Sequence, residues 1–175
     1  MSNAAETSGA PAPAGDRLVI GIGRDGRGDD AAGLEAVRRL GELGAVPCVL
    51  SDGEPTRLLE LFGRAPRVWV VDAVRSGAAP GTLYRFEGTE PPPYRAVGTT
   101  STHGLSLGEA IALGRALDRL PGALIVHGIE AGPVALGDGL SLAVARAIPR
   151  LVARVRAEID ASGGAAAIGG AGPRA

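Results

Sequence analysis

Short apolar runs alternate along the chain with stretches in which apolar residues recur every three or four positions. The runs predict strands at 17–23, 46–51, 67–73, 82–87 and 123–129, and the periodic stretches predict helices at 30–41, 54–62, 105–120 and 141–160. Strands 67–73 and 123–129 are apolar throughout, as strands covered on both faces are, whereas 82–87 alternates and follows its predecessor after a short link. The pattern predicts a three-layer α/β/α sandwich with a mostly parallel five-stranded sheet and one antiparallel edge strand.

Composition indicates one domain in a reducing compartment. The chain has 175 residues, 45% of them hydrophobic, a formal charge of −1 and a single cysteine, Cys48, which we expect to be a small buried residue of a strand. Residues 1–16 and 161–175 are rich in small residues and are predicted to be disordered tails around a folded domain at 17–160. No signal peptide or membrane span is predicted, so we expect a cytoplasmic protein.

The basic residues are all arginine, which excludes two lysine-dependent functions. Without lysine the chain has neither the phosphate-binding lysine of a P-loop nor a Schiff-base nucleophile. The balanced charge and the aromatic content of 3% argue against a nucleic-acid surface. The long proline-containing stretch between Gly88 and Thr102 is predicted to be a functional loop.

A glycine-rich turn follows the first predicted strand. Residues 21–26 match the dinucleotide pattern G-x-G-x-x-G, but Asp29 and Asp30 come directly afterwards, at the start of the next helix. Two carboxylates there would repel a phosphate and occupy the positive end of the helix dipole themselves. The turn therefore favours a cation site, with helix capping by either aspartate as the structural alternative.

Further polar residues stand where other predicted strands end or helices begin. In a doubly wound sheet these positions share one rim, where ligands bind. The residues concerned are Asp29, Asp30, Asp52, Asp72, His103 and His127. Carboxylates with an imidazole suit nickel, zinc, copper or iron better than magnesium or calcium. Each residue also has a structural interpretation, as a helix cap, a turn residue or, for His127, a partner of a backbone carbonyl.

The segment Gly104-Leu105-Ser106-Leu107-Gly108 matches the nucleophile pattern of α/β-hydrolases, and Asp118 and His127 follow it in the order of a catalytic triad. The residues before Gly104 are polar, however, and do not form the strand that should lead into the nucleophile turn. Asp118 lies between arginines and is interpreted as a solvated charge on a helix whose apolar stripe contains Leu113, Leu117 and Leu120. A serine hydrolase is therefore disfavoured.

Four segments in order along 17–160 resemble the hydrogenase maturation proteases. They are the turn from Gly21 to Gly33, Val70-Val71-Asp72-Ala73-Val74 with Pro80-Gly81-Thr82-Leu83-Tyr84-Arg85-Phe86, Ser101-Thr102-His103-Gly104-Leu105-Ser106-Leu107, and His127-Gly128-Ile129-Glu130. The resemblance implies a cytoplasmic endopeptidase that removes a C-terminal extension from the large-subunit precursor of a nickel-iron hydrogenase after nickel insertion. Its metal-contacting and catalytic residues would be Asp30, Asp72 and His103. The turn departs from the family at Arg24, where asparagine is usual.

The resemblance leads to a mechanistic hypothesis. Asp30, Asp72 and His103 would bind nickel already carried by the precursor, so that the resting enzyme holds no tightly bound metal of its own. Asp29 and Asp72 are both candidates for the general base. Two alternatives stay open at this point: a non-catalytic chaperone or sensor that holds nickel or zinc with the same three residues, and a Rossmann-type oxidoreductase. Neither nucleic acid nor membrane is an expected partner.

Overall fold

A computed structural model describes residues 15–44, 46–90, 102–132 and 139–164, with backbone only for 102–106 and 164. Five strands form one sheet with the spatial order β2-β1-β3-β5-β4. The strands are β1 (Arg17–Ile22), β2 (Cys48–Ser51), β3 (Arg67–Val74), β4 (Leu83–Glu87) and β5 (Ala123–Glu130). All neighbours pair in parallel except β4, which runs antiparallel to β5 at one edge. The predicted fold class is confirmed.

In the part of the chain that the structure describes, three helices and one short 3₁₀ turn lie between strands, and a fourth helix follows β5. They are the 3₁₀ turn Gly28–Ala31, α1 (Ala32–Glu42), α2 (Pro55–Phe62), α3 (Thr102–Ala116) and α4 (Leu142–Gly164). Helix α4 continues four residues beyond its predicted end at 160. Residues 1–14, 91–101 and 165–175, which hold most of the predicted tails and loop, lie outside the described residues. No described helix is long and apolar enough to cross a membrane.

The sheet buries a separate apolar core on each face. Alternate residues of β3 divide between them: Trp69 and Val71 face α1 and α4, whereas Val68 and Val70 face α2 and α3. This is the period of two that a strand imposes, and it explains why the strand is apolar throughout. Asp72 follows Val70 by two residues and therefore lies on the same α2–α3 face of the sheet.

Helix α1 packs on the sheet with its backbone close to that of the strands. A Cβ atom at Gly33 would collide with the carbonyl oxygens of Ile22 and Val71, and one at Gly21 would lie 2.7 Å from the Gly33 carbonyl oxygen. Only glycine permits this approach. The contact fixes the start of α1, and with it the preceding 3₁₀ turn, against the ends of β1 and β3.

Helix α3 differs most from its prediction. It begins at Thr102 rather than 105 and ends at Ala116 rather than 120, and Asp118 adopts a left-handed conformation with φ of 52°. Leu113 and Leu117 are 41% and 52% exposed, so the predicted apolar stripe is wrong for these two residues, whereas Leu120 packs against the α2–α3 core as predicted. Instead, Leu107 and, one turn later, Ala110 contribute to the α2–α3 core.

Candidate active site

The carboxyl ends of β1, β3 and β5 meet at one rim of the sheet, where two acidic strand residues are almost fully buried. Asp72, the sixth residue of β3, is 2% exposed, and Glu130, the last residue of β5, is also 2% exposed. The 3₁₀ turn that carries Asp29 and Asp30 adjoins them after β1. Three of the residues predicted to converge at this rim, Asp29, Asp30 and Asp72, therefore lie there, and Glu130 joins them.

Asp30 and Asp72 occupy complementary positions at the rim. Asp30 is half-buried on the turn, and its carbonyl oxygen lies against Gly23, where a Cβ atom would clash with it. Asp72 lies on the α2–α3 face of β3 and pairs in register with Gly128 of β5. One carboxylate therefore comes from a rigid turn and the other from the central sheet.

His103 lies in the first turn of α3. The last turn of this helix is tied to the opposite rim, because Arg115 donates hydrogen bonds to the carbonyl oxygens of Gly88 and Thr89, and Gly88 in turn pairs with Leu124 at the start of β5. His103 precedes Arg115 by 12 residues, or about 18 Å of helix. The backbone at His103 therefore lies toward the rim, on the face of the sheet that carries Asp72.

Asp29 has a different role from its neighbour. Its side chain is 1% exposed, and its two carboxylate oxygens accept hydrogen bonds from the backbone N–H groups of Gly132 at 2.8 Å and Ser141 at 2.6 Å. These donors stand just after β5 and just before α4. Asp29 therefore joins the turn after β1 to both ends of the β5–α4 connection, and we interpret it as a structural residue rather than a base.

The sequence analysis missed the role of Glu130. Its carboxylate accepts hydrogen bonds from the N–H and hydroxyl groups of Ser76 at 2.8 and 2.7 Å, from the N–H of Gly77 at 3.0 Å and from the hydroxyl of Tyr84 at 3.2 Å. This network fixes the β3–β4 connection at the rim. The one signal in the sequence was an acidic residue at the end of an apolar strand. Two of the four donors are backbone N–H groups, which the sequence does not reveal.

The structure separates two other candidates from the site. Asp52 is exposed and accepts a hydrogen bond from the N–H of Glu54 at 3.2 Å. This contact agrees with the structural interpretation of Asp52 as a turn residue. His127 lies inside β5, on the α1–α4 face, and its Nε2 atom is 3.5 Å from a carboxylate oxygen of Glu158 on α4. It is thus on the opposite face of the sheet from Asp72, and within the described residues its Nε2 atom makes no hydrogen bond to a backbone carbonyl.

The same geometry removes the serine-hydrolase alternative. Asp118 is exposed beyond the end of α3, on the α2–α3 side of the sheet, whereas His127 is 1% exposed and faces α4. The sheet separates the two, so they cannot form an acid–histidine pair. Cys48 is partly buried, its thiol lies 3.5 Å from the carbonyl oxygen of Val46, and burial raises its pKa. A raised pKa disfavours the nucleophilic thiolate.

Among the side chains that the structure describes, no group of three or more histidine, cysteine, aspartate or glutamate residues is arranged to hold a metal ion. The side chain of His103 is not among them. The metal-binding and catalytic roles assigned to Asp30, Asp72 and His103 therefore stay a prediction, and the structure adds the placement of the elements that carry them.

Comparison with known proteins identifies the class to which this fold and acidic rim belong. The family model described as hydrogenase maturation protease (HycI) matches residues 49–158, a range that includes Asp72 and His103. The hydrogenase expression/formation protein HupD of Rhodobacter capsulatus is 31% identical over 153 residues, which cover 83% of this chain and 72% of HupD. These matches make the chain a peptidase.

Two solved structures share the fold. The hydrogenase maturating endopeptidase HybD from Escherichia coli superimposes with a TM-score of 0.67 at 22% identity, over 85% of this chain and 94% of that protein. The [NiFe] hydrogenase maturation protease HybD from Thermococcus kodakarensis gives 0.63 at 25% identity, over 82% and 99%. The chain belongs to the hydrogenase maturation protease family.

Proposed function

We propose that this protease removes the C-terminal extension of the large-subunit precursor of a nickel-iron hydrogenase, and that it recognises the precursor by the nickel inserted there. Family membership supports processing of a hydrogenase large subunit. The Thermococcus relative is described as a [NiFe] hydrogenase maturation protease, which supports nickel as the metal concerned. In this proposal nickel is part of the substrate, and the cytoplasm remains the predicted location.

The observation that carries the proposal is the placement of Asp72. It is a carboxylate buried on the α2–α3 face of a central strand, beside the turn that holds Asp30 and on the same face as the helix that begins with His103. Two carboxylates with one imidazole form a donor set that suits nickel. Glu130 is equally buried at this rim, but its carboxylate holds the β3–β4 connection through Ser76 and Gly77.

In the proposed mechanism Asp30 and Asp72 share one task, the binding of nickel, which Asp29 does not have. Asp30, Asp72 and His103 would bind the precursor's nickel and thereby hold the scissile peptide at the rim, and such orientation supplies a large share of the rate enhancement in well-ordered active sites. A metal held there polarises a carbonyl group or makes a bound water more acidic. Asp29 is occupied by two backbone amides, so Asp72 is the better candidate for the general base.

The decisive experiment substitutes the two histidines of the chain in turn. Purified wild-type, His103→Ala and His127→Gln proteins are incubated with the large-subunit precursor, with and without inserted nickel, and release of the extension is followed by mass spectrometry. We expect wild type and His127→Gln to cleave only the nickel-loaded precursor and His103→Ala to cleave neither form.

Two results would contradict the proposal. Normal cleavage by a folded His103→Ala protein would show that His103 is not needed as a metal ligand. Equal cleavage of both precursor forms would show that nickel is not the recognition element. Tight binding of free nickel by the wild type, without cleavage of either precursor, would instead favour the metal-carrier alternative.

A further inference from the structure

Helix α4 presents a row of unpaired positive charges to solvent. Arg146, Arg150 and Arg154 are spaced four residues apart, so they lie on one side of the helix, and all three are exposed. Like charges at this spacing destabilise a helix. An anion that spans the row would relieve the repulsion.

Several other arginines of the protein have carboxylate partners. Arg38 pairs with Asp25, and on α4 itself Arg156 pairs with Asp160 at 2.9 Å. Within the described residues, none of the three arginines of the row lies within 4 Å of a carboxylate oxygen. For Arg154 the reason is visible, since Glu158, four residues later, contacts Arg85 and His127 instead.

Two of these arginines line a cavity. It has a volume of about 350 Å³ and is bounded by Arg150 and Arg154 on α4 and by residues 80–83, which lead into β4. The β4 side is fixed: the N–H of Gly81 donates to the carbonyl oxygen of Glu130, the N–H of Glu130 donates to that of Thr82, and Gly81 is packed against α4. Two exposed guanidinium groups therefore face a segment that hydrogen bonds hold to β5.

We propose that this cavity and the arginine row bind a carboxylate-rich segment of a protein partner. Guanidinium groups match carboxylates with paired hydrogen bonds, and successive turns of a helix match successive acidic side chains. Resting on the proposed function, the partner is the hydrogenase precursor. The cavity lies on the α4 side of the sheet, which is the face opposite Asp72, and its β4 wall is bonded to Glu130 of the rim. The segment would therefore be held beside the rim and would contribute to binding rather than to bond cleavage.

The test removes the two cavity charges and compares a control with the same change in net charge. Arg150→Gln/Arg154→Gln is compared with Arg39→Gln/Arg156→Gln, whose arginines already pair with Glu35 and Asp160. Binding of a fluorescent hexaglutamate peptide is measured by anisotropy at low and high salt. We expect the cavity variant to bind at least about tenfold more weakly, as for loss of a charge-assisted hydrogen bond, and the control to match wild type.

A second readout uses the precursor. In the cavity variant we expect KM to rise and kcat to stay unchanged, whereas the control should alter neither. Equal peptide affinity in wild type, cavity variant and control would overturn the docking site. Tight binding of inorganic phosphate with no binding of hexaglutamate would overturn it in favour of a small-anion site. If wild type failed to cleave any precursor, the proposed function would fail while the peptide measurement still decided this inference.

Discussion

The rim of the sheet and its α1–α4 face both bury ionisable side chains, but they surround them differently. At the rim, the carboxylates of Asp29 and Glu130 accept hydrogen bonds from backbone amides and hydroxyl groups. On the α1–α4 face, His127 is equally buried, yet its Nε2 atom has no hydrogen-bond partner within the described residues. The rim is thus built to hold negative charge, whereas the other face favours a neutral imidazole.

The largest expected effect concerns chemistry at the rim. Asp72→Asn keeps the shape of the side chain but removes its charge, so cleavage of the nickel-loaded precursor should fall by more than about 100-fold, beyond the loss typical of groups that merely orient a metal ligand. Asp52→Asn is the control, because this exposed carboxylate stabilises only its own turn. Initial cleavage rates measure the effect, and a folded Asp72→Asn protein with normal rates would show that the rim carboxylate is not needed.

A smaller effect, on stability, should distinguish Asp29 from the proposed metal ligands. In Asp29→Asn the amide nitrogen cannot accept a hydrogen bond, so one N–H of Gly132 or Ser141 loses its acceptor at a cost of about 1–3 kcal/mol. The control Asp25→Asn, which breaks an exposed ion pair with Arg38, should cost about 0–1 kcal/mol. Urea unfolding measures both free energies. Equal stability of the two variants would show that the hydrogen bonds of Asp29 to Gly132 and Ser141 do not stabilise the fold.

The smallest effect is a pH dependence from the α1–α4 face. Burial lowers the pKa of His127 from 6.5, Glu158 opposes this, and Arg85 and Arg154 lower it further. The unfolded chain therefore takes up a proton at a higher pH than the folded protein does. The contribution to stability is complete above pH 6.5 and is lost as the pH falls through the folded pKa.

His127→Gln should remove this part of the pH dependence. Unfolding free energies of wild type and variant, measured in urea across the acidic range, should therefore differ by an amount that changes below pH 6.5 and stays constant above it. A constant difference throughout would mean that the imidazole is not held neutral by burial.

Sequence periodicity was sufficient for the sheet but not for α3. The apolar runs of β3 and β5 have no polar face, and only covered parallel strands tolerate that. In α3, small and apolar residues occur all around the helix, so periodicity could not identify the buried side, and the predicted stripe pointed Leu113 and Leu117 toward the core instead of solvent.

The position of the rim could be predicted from topology, but the different roles of its acidic residues could not. Asp29 and Asp30 are chemically identical neighbours, and only the amides of Gly132 and Ser141, more than a hundred residues away, distinguish them. His127 was misplaced because β5 is apolar on both faces, so the sequence does not show which face His127 occupies. The strand continues to Glu130, and His127 pairs with Val71 rather than lying beside Asp72.

The two margins of the sheet bear on the behaviour of concentrated protein. An unprotected outer strand can pair with another copy of the chain and start a growing aggregate. Here β4 carries Arg85, which is held by Glu87 and Glu158, and β2 has only four residues and follows Pro47. Charge at one margin and shortness at the other therefore discourage pairing between copies of the chain.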